Sequence, residues 1–187
     1  MRRAHFIDFD DSFTWNVVQE LQEQGFRVHV QHWMDFETLP VADLLVLGPG
    51  PGHPDDYQRI FSLVSDWLKE GRAFFGVCLG HQIFWRLRGE GVYRSREPVH
   101  GQRVELTLDR SWQEWLGLPE KVKVQRYNSL GVPEEAIRRN PDVLNLLFDG
   151  EVMMTRGQGI LSYQFHPESV GTSFRRAFFR PLAGFFV

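Results

Sequence analysis

Apolar runs and helical stripes alternate through the first ninety positions of the chain. "AHFIDF" (4–9) reads as a buried strand. Phe13, Val17 and Leu21 then fall at helical spacing, which predicts a helix over 13–25 with Ser12 as its N-cap and Gly25 as its stop. "FRVHVQ" (26–31) alternates as a strand does, and "ADLLVLG" (42–48) is a continuous apolar run, the pattern of a strand covered on both faces. "PGPGHPDD" reads as a loop on composition. Ile60, Val64 and Trp67 form one stripe, predicting a helix over 57–71 that ends at Gly71. "AFFGV" (73–77) is a short buried strand, and "HQIFWRLRG" follows as a helix. This alternation predicts an α/β fold: a mostly parallel central sheet with helices on both faces.

The second half has a different rhythm. "QRVELTL", "EKVKVQ", "VLNLLF", "EVMMT" and "ILSYQF" are short strand-like segments separated by turns. Some are expected to extend the first sheet and others to form a small antiparallel one. "SFRRAFFRPLAGFFV" predicts a short helix broken at Pro181. No repeat or linker divides the 187 residues, so one domain over 1–187 is expected.

Composition narrows the partners. Net charge is −3 with acids and bases interspersed, which argues against nucleic acid or an anionic membrane. No run approaches the ~20 apolar residues needed to span a bilayer, and no signal-peptide pattern follows the N-terminus. The single cysteine forms no internal disulfide, so no oxidising compartment is implied. A cytoplasmic protein is expected. Six tryptophans and sixteen phenylalanines point to a large core or to an apolar surface for a partner.

That lone cysteine carries the chemistry. Cys78 sits in "GVCLG" (76–80), between the strand 73–77 and the helix after it. The form G-x-nucleophile-x-G is that of a nucleophile elbow, whose tight corner leaves no room for a Cβ at the flanking positions. The helix N-terminus that follows favours a thiolate and offers N–H groups to an oxyanion. Among seven histidines, His166 fits as the base. It lies in "LSYQFHPES", where a strand runs into a loop, and Glu168 two positions on faces the same side of an extended segment. Pro167 restricts the backbone between them. His5 and His29 lie in strands, His32 looks like surface, and His81 should point along its helix away from Cys78.

Together, "GVCLGHQ" and "QFHPES" resemble the signature pair of class I, triad-type glutamine amidotransferases, and "GPGPGHP" (48–54) resembles that family's oxyanion loop. "FIDFDDSFTWNVV", "RYNSL" and "VHG" narrow the resemblance to the glutaminase subunits of anthranilate synthase and aminodeoxychorismate synthase. The resemblance runs from residue 6 to about residue 170. It implies a flavodoxin-like sheet, Cys78 as nucleophile, His166 as general base and acid, and Glu168 as the group that orients His166. It further implies an oxyanion hole from the backbone of Gly50 and Leu79. L-Glutamine would be held by Gly50, Pro51, Gly52, Gln82, Ser129 and Leu130. No metal or organic cofactor is implied. The implied partner is a larger chorismate-binding synthase subunit, in tryptophan or folate precursor synthesis, and both products stay open. Two other readings remain: a stand-alone cysteine hydrolase of γ-glutamyl or peptide bonds, and a weakly catalytic regulatory subunit. The chain departs from the family's pattern at Phe9, Asn128, Gln102, Arg103 and the C-terminus. These departures bear on partner docking and activation rather than on the triad.

Overall fold

In the computed structural model, residues 1–186 are described. Five parallel strands form the centre: β1 (Arg2–Asp8), β2 (Phe26–His32), β3 (Leu44–Leu47), β4 (Ala73–Val77) and β11 (Ile160–Tyr163). Two antiparallel strands, β10 (Glu151–Gly157) and β9 (Leu144–Phe148), extend one edge. The order is β2-β1-β3-β4-β11-β10-β9. Strand order reverses at β1 and β3, so the carboxyl ends around them border a crevice, where open α/β sheets bind ligands.

The continuous apolar run of β3 follows from cover on both faces. Leu44 and Val46 enter one core cluster with Val17 and Leu21 of α1 (Thr14–Glu23). Leu45 and Leu47 enter a second with Val64 and Trp67 of α2 (Phe61–Lys69) and Ile83 of α3 (Leu79–Leu87). Every one of these side chains is fully buried. The expected helical stripe Ile60, Val64 and Trp67 faces this second core.

Outside the main sheet, β6 (Gln102–Thr107) and β7 (Lys121–Arg126) pair antiparallel, with α4 (Arg110–Leu116) between them in sequence. A two-residue ladder joins β5 (Tyr93–Arg94) to β8 (Leu130–Gly131). The C-terminal segment forms α5 (Arg175–Phe179) and α6 (Pro181–Gly184), divided at the expected proline. Val187, the last residue of that predicted segment, lies outside the described residues.

Two expectations need correction, and one helix was not predicted. Ser12 does not cap α1: the N-cap is Phe13, whose N–H bonds the Asp11 carboxylate at 2.8 Å. The helix predicted over 57–71 begins only at Phe61; Pro54–Ile60 winds as a 3-10 turn closed by a capping box between His53 and Asp56. The 3-10 form arises because Pro54 and the two acids after it start a tight turn that breaks helical angles at Tyr57. Finally, α4 had no prediction, although Asp109 caps it by accepting the N–H of Trp112 at 3.0 Å. Among the described residues no helix is long and apolar enough to cross a membrane.

Candidate active site

β4 passes into α3 through one residue. Cys78 is that residue, with φ 51° and ψ −100°, a backbone conformation side chains other than glycine rarely adopt. Two bonds hold the corner: Cys78 N–H to the Tyr163 carbonyl at 2.8 Å, and Gly80 N–H to the Gly48 carbonyl at 3.2 Å. The flanking glycines follow from close packing. A Cβ on Gly80 would lie 2.1 Å from the Leu47 carbonyl oxygen, and one on Gly76 would lie 2.8 Å from the Gly80 backbone. The strained corner thus presses α3 onto β3 and β4 and turns the sulfur toward the carboxyl edge of the sheet.

His166 reaches that edge from the other side. Its backbone is pinned three ways: its N–H bonds the Gln125 carbonyl at 2.9 Å, and its carbonyl accepts Thr172 Oγ1 at 2.6 Å and Ser169 N–H at 3.3 Å. Nδ1 meets Glu168 Oε1 at 2.6 Å, as the i, i+2 spacing predicted. Both side chains are buried. Nε2 is buried with no nitrogen or oxygen partner, and the group it faces is the Cys78 side chain. Burial pulls the imidazole's pKa down, but the Glu168 charge, the neighbouring Cys78 side chain and the hydrogen bond accepted by Glu168 outweigh it. The net position is well above the ordinary histidine value. The rings of Phe13 and Tyr127 pack against the imidazole at 5.1 and 5.0 Å and exclude water from it.

The six residues expected to hold substrate, Gly50, Pro51, Gly52, Gln82, Ser129 and Leu130, line one cleft of about 130 Å³ together with Cys78, Tyr127 and Asn128. The loop after β3 supplies the first three, α3 the fourth and the 126–131 segment the rest. The backbone N–H groups of Gly50 and Leu79 bond to no group among the described residues. A Cβ on Gly50 would strike Phe9 at 2.5 Å and Leu79 at 2.6 Å, so the loop can lie this close only as glycine. Gln82 Nε2 donates to the Leu130 carbonyl at 3.0 Å and to Gln164 Oε1 at 3.1 Å, tying α3 to the opposite wall.

Residues unforeseen in the sequence complete the walls. Gln164 Nε2 lies 3.7 Å from Cys78 Sγ. Its position two before His166 was the available signal, since alternate residues of an extended segment share a face. The 126–131 segment hangs on Arg126, which is buried and pairs with Glu151 at 3.1 Å and with Asn128 Oδ1 at 3.1 Å. Asn128 in turn donates to the Leu130 carbonyl at 2.9 Å. Phe9 is buried against Tyr57 beneath the 48–52 loop. These two departures therefore act inside the cleft wall and not on an exposed docking surface. His81 is buried away from the sulfur, with Nδ1 at 2.8 Å from Ser162 Oγ and Nε2 at 3.1 Å from the Val152 carbonyl. Burial pushes its pKa down to about 3. Behind Glu168, its second oxygen and Glu20 Oε2 both lack partners, and burial raises the Glu20 carboxyl. Among the described residues no group of three His, Cys, Asp or Glu side chains could hold a metal ion.

The family model for glutamine amidotransferase class-I matches residues 5–183. The chain is 34% identical to anthranilate synthase component 2 of Helicobacter pylori strain J99, over 98% of this chain and 97% of that one. It is 33% identical to aminodeoxychorismate/anthranilate synthase component 2 of Bacillus subtilis strain 168, over 93% and 92% respectively. In fold it is similar to a solved Thermoplasma acidophilum protein described as a GMP synthase subunit. That likeness has a TM-score of 0.84 at 22% identity and covers 99% of this chain and 94% of that one.

Proposed function

Because this chain belongs to the class-I glutamine amidotransferase family, we propose that it is a glutaminase subunit. It hydrolyses L-glutamine through Cys78, His166 and Glu168 and supplies ammonia to a larger, chorismate-aminating synthase subunit. The observation that carries this reading is the buried, partnerless Nε2 of His166 facing a sulfur held on a strained corner.

The steps follow from the groups present. An imidazolium held by Glu168 favours the thiolate of a neighbouring cysteine. The Cys78 sulfur adds to the side-chain carboxamide carbon of glutamine. Negative charge grows on the amide oxygen, and the free N–H groups of Gly50 and Leu79 take it up, a contribution of roughly 3 kcal/mol for one such donor. His166 gives its proton to the departing nitrogen, the C–N bond breaks, and ammonia leaves a glutamyl thioester on Cys78. His166, now neutral, takes a proton from water as the water attacks the thioester. Glutamate departs and the pair is restored. Glu168 keeps the imidazole in one tautomer and stabilises its cation. The α-amino and α-carboxylate groups of the substrate fit the polar wall built from Gly52, Gln82, Ser129 and Leu130.

Two relatives support the synthase assignment through their names and their near full-length match. Exposed Trp15 on α1, and Val170 and Phe174 just beyond the triad, give an apolar rim that suits docking of that subunit. The test is amination of chorismate by the reconstituted pair. With Cys78→Ala, glutamine-dependent amination is lost while ammonia-dependent amination persists. Glutamine-dependent turnover surviving in that variant contradicts the proposal. Identification of the product separates anthranilate from aminodeoxychorismate.

A further inference from the structure

A second cavity, larger than the Cys78 cleft, lies on the flank of the sheet and has no part in the chemistry above. Its volume is about 480 Å³, and Arg3, His5, Arg27, His29 and the 40–42 segment line it. The parallel register of β1 and β2 sets Arg3 opposite Arg27 and His5 opposite His29. Strand alternation puts all four on one face, while Ala4, Phe6, Val28 and Val30 on the other pack into the core with α1. The face is open at Arg3, Arg27 and His29, while Phe36 of the irregular connection from β2 to β3 covers His5, with ring centroids 6.0 Å apart.

Like charges placed directly across a sheet repel, and Arg3 and Arg27 are such a pair. Nearby carboxylates do not relieve the arginines. On the connecting segment, Glu37 pairs with Arg59 at 2.7 Å and Asp43 Oδ2 accepts the backbone N–H of Arg3 at 2.7 Å. Among the described residues neither the Arg3 nor the Arg27 guanidinium forms an ion pair. We propose that this groove binds a multivalent oxyanion of the phosphate class, gripped by Arg3 and Arg27 beside the paired rings of His5 and His29. Guanidinium forks suit tetrahedral oxyanions, and such an anion cancels the repulsion built into the register.

His5 couples the site to protons. Its Nε2 meets Gln31 Oε1 at 2.6 Å, and the Gln31 amide is oriented by its bond to the Asp35 carbonyl, so Nε2 carries hydrogen and Nδ1 is the atom that gains the second proton. Burial, and then the charge of His29, push the His5 pKa down, which leaves the ring neutral in the empty groove at neutral pH. An arriving anion reverses that preference and draws a proton in.

The experiment is isothermal titration of the full chain with inorganic pyrophosphate at constant ionic strength, with inorganic phosphate and ribose 5-phosphate as parallel arms. Binding at one site is expected, weakened at least about tenfold in the Arg3→Ala/Arg27→Ala double variant. Both side chains are exposed, and a melting temperature no lower than that of the wild-type chain checks the fold. The arm that binds most tightly separates a free phosphate from a phosphorylated metabolite. Sulfate, whose charge is constant over the range, then reads the proton: affinity should rise as pH falls from about 8 to about 6. That dependence should shrink in His5→Gln and vanish in the His5→Gln/His29→Gln double variant, since both rings line the groove. If His5→Gln does not fold, proton uptake by the wild-type chain in two buffers of different ionisation enthalpy reads the same quantity. No binding in any arm, or equal binding in the double variant (an adventitious ion only), overturns the proposal. A sulfate affinity that is flat with pH overturns the role of His5.

Discussion

At the scale of the residue, the site rests on backbone space as much as on functional groups. Gly80→Ala would force a Cβ to within 2.1 Å of a main-chain carbonyl. It is expected to destabilise the fold by about 3 kcal/mol or more, visible as an early urea midpoint alongside lost activity. Cys78→Ala should leave stability nearly unchanged and lower glutamine hydrolysis at least about a thousandfold; a small loss of rate counts against the nucleophile. The two buried histidines respond to pH in opposite senses. His166, held above its unfolded value, contributes stability that is full below about pH 6.5 and fades as pH climbs through its folded value. His81, pushed down to about 3, stays neutral in the fold while the unfolded chain takes up a proton. It therefore costs roughly 1 kcal/mol for each pH unit below 6.5, until about pH 3. Urea midpoints from pH 7 down to pH 4 should fall less steeply in His81→Gln, and identical slopes would remove His81 from the account. The pair of His166 and Glu168 was legible because proximity in sequence and strand alternation sufficed. Gln164 obeyed the same rule but carried no charge or reactivity to draw notice. Arg126 reaches Glu151 across the fold, and no local pattern encodes a contact between positions so far apart.

At the scale of the element, three segments converge on the cleft and each is anchored separately. The 48–52 loop is bound to α3 through Gly80 and Gly48, and to the Pro54–Ile60 turn by the Tyr57 hydroxyl, which donates to the Pro51 carbonyl at 2.9 Å. The 126–131 segment depends on the buried Arg126–Glu151 pair. Removing one partner strands the other charge, so Arg126→Met should destabilise by roughly 3–5 kcal/mol, whereas Arg126→Met with Glu151→Leu should recover most of it. Thermal melts of the single and double variants check this, and an additive loss argues against a coupled pair. The buried strands and the stripes of α1 and α2 were readable because each faces a core with a fixed period. The Pro54–Ile60 turn and α4 were not. The turn's angles are set by a cap between His53 and Asp56, and α4 is a short helix whose Trp112 and Leu116 find their core only once β6 and β7 have folded.

At the scale of the molecule, the site is assembled at the carboxyl ends of β3, β4 and β11, from residues as far apart as Gly50 and Glu168, and an apolar rim lies beside it. Trp15→Asp should leave basal glutamine hydrolysis intact and abolish its stimulation by the synthase subunit, measured as glutamate release with and without that partner. Full stimulation in the variant would move the docking surface elsewhere. The motifs could be placed at one sheet edge from sequence because strand and helix alternate so regularly before residue 90. The fit of the 126–131 segment over that edge depends on tertiary contacts that only the folded chain makes. The most direct measurement is intact-protein mass after treatment with a glutamine-mimicking alkylating agent. One adduct per chain is expected, located on Cys78, formed in step with loss of glutaminase activity and much more slowly in His166→Ala. Continued glutamine hydrolysis by fully alkylated protein, or undiminished hydrolysis with Cys78 unmodified and the label elsewhere, would contradict the account.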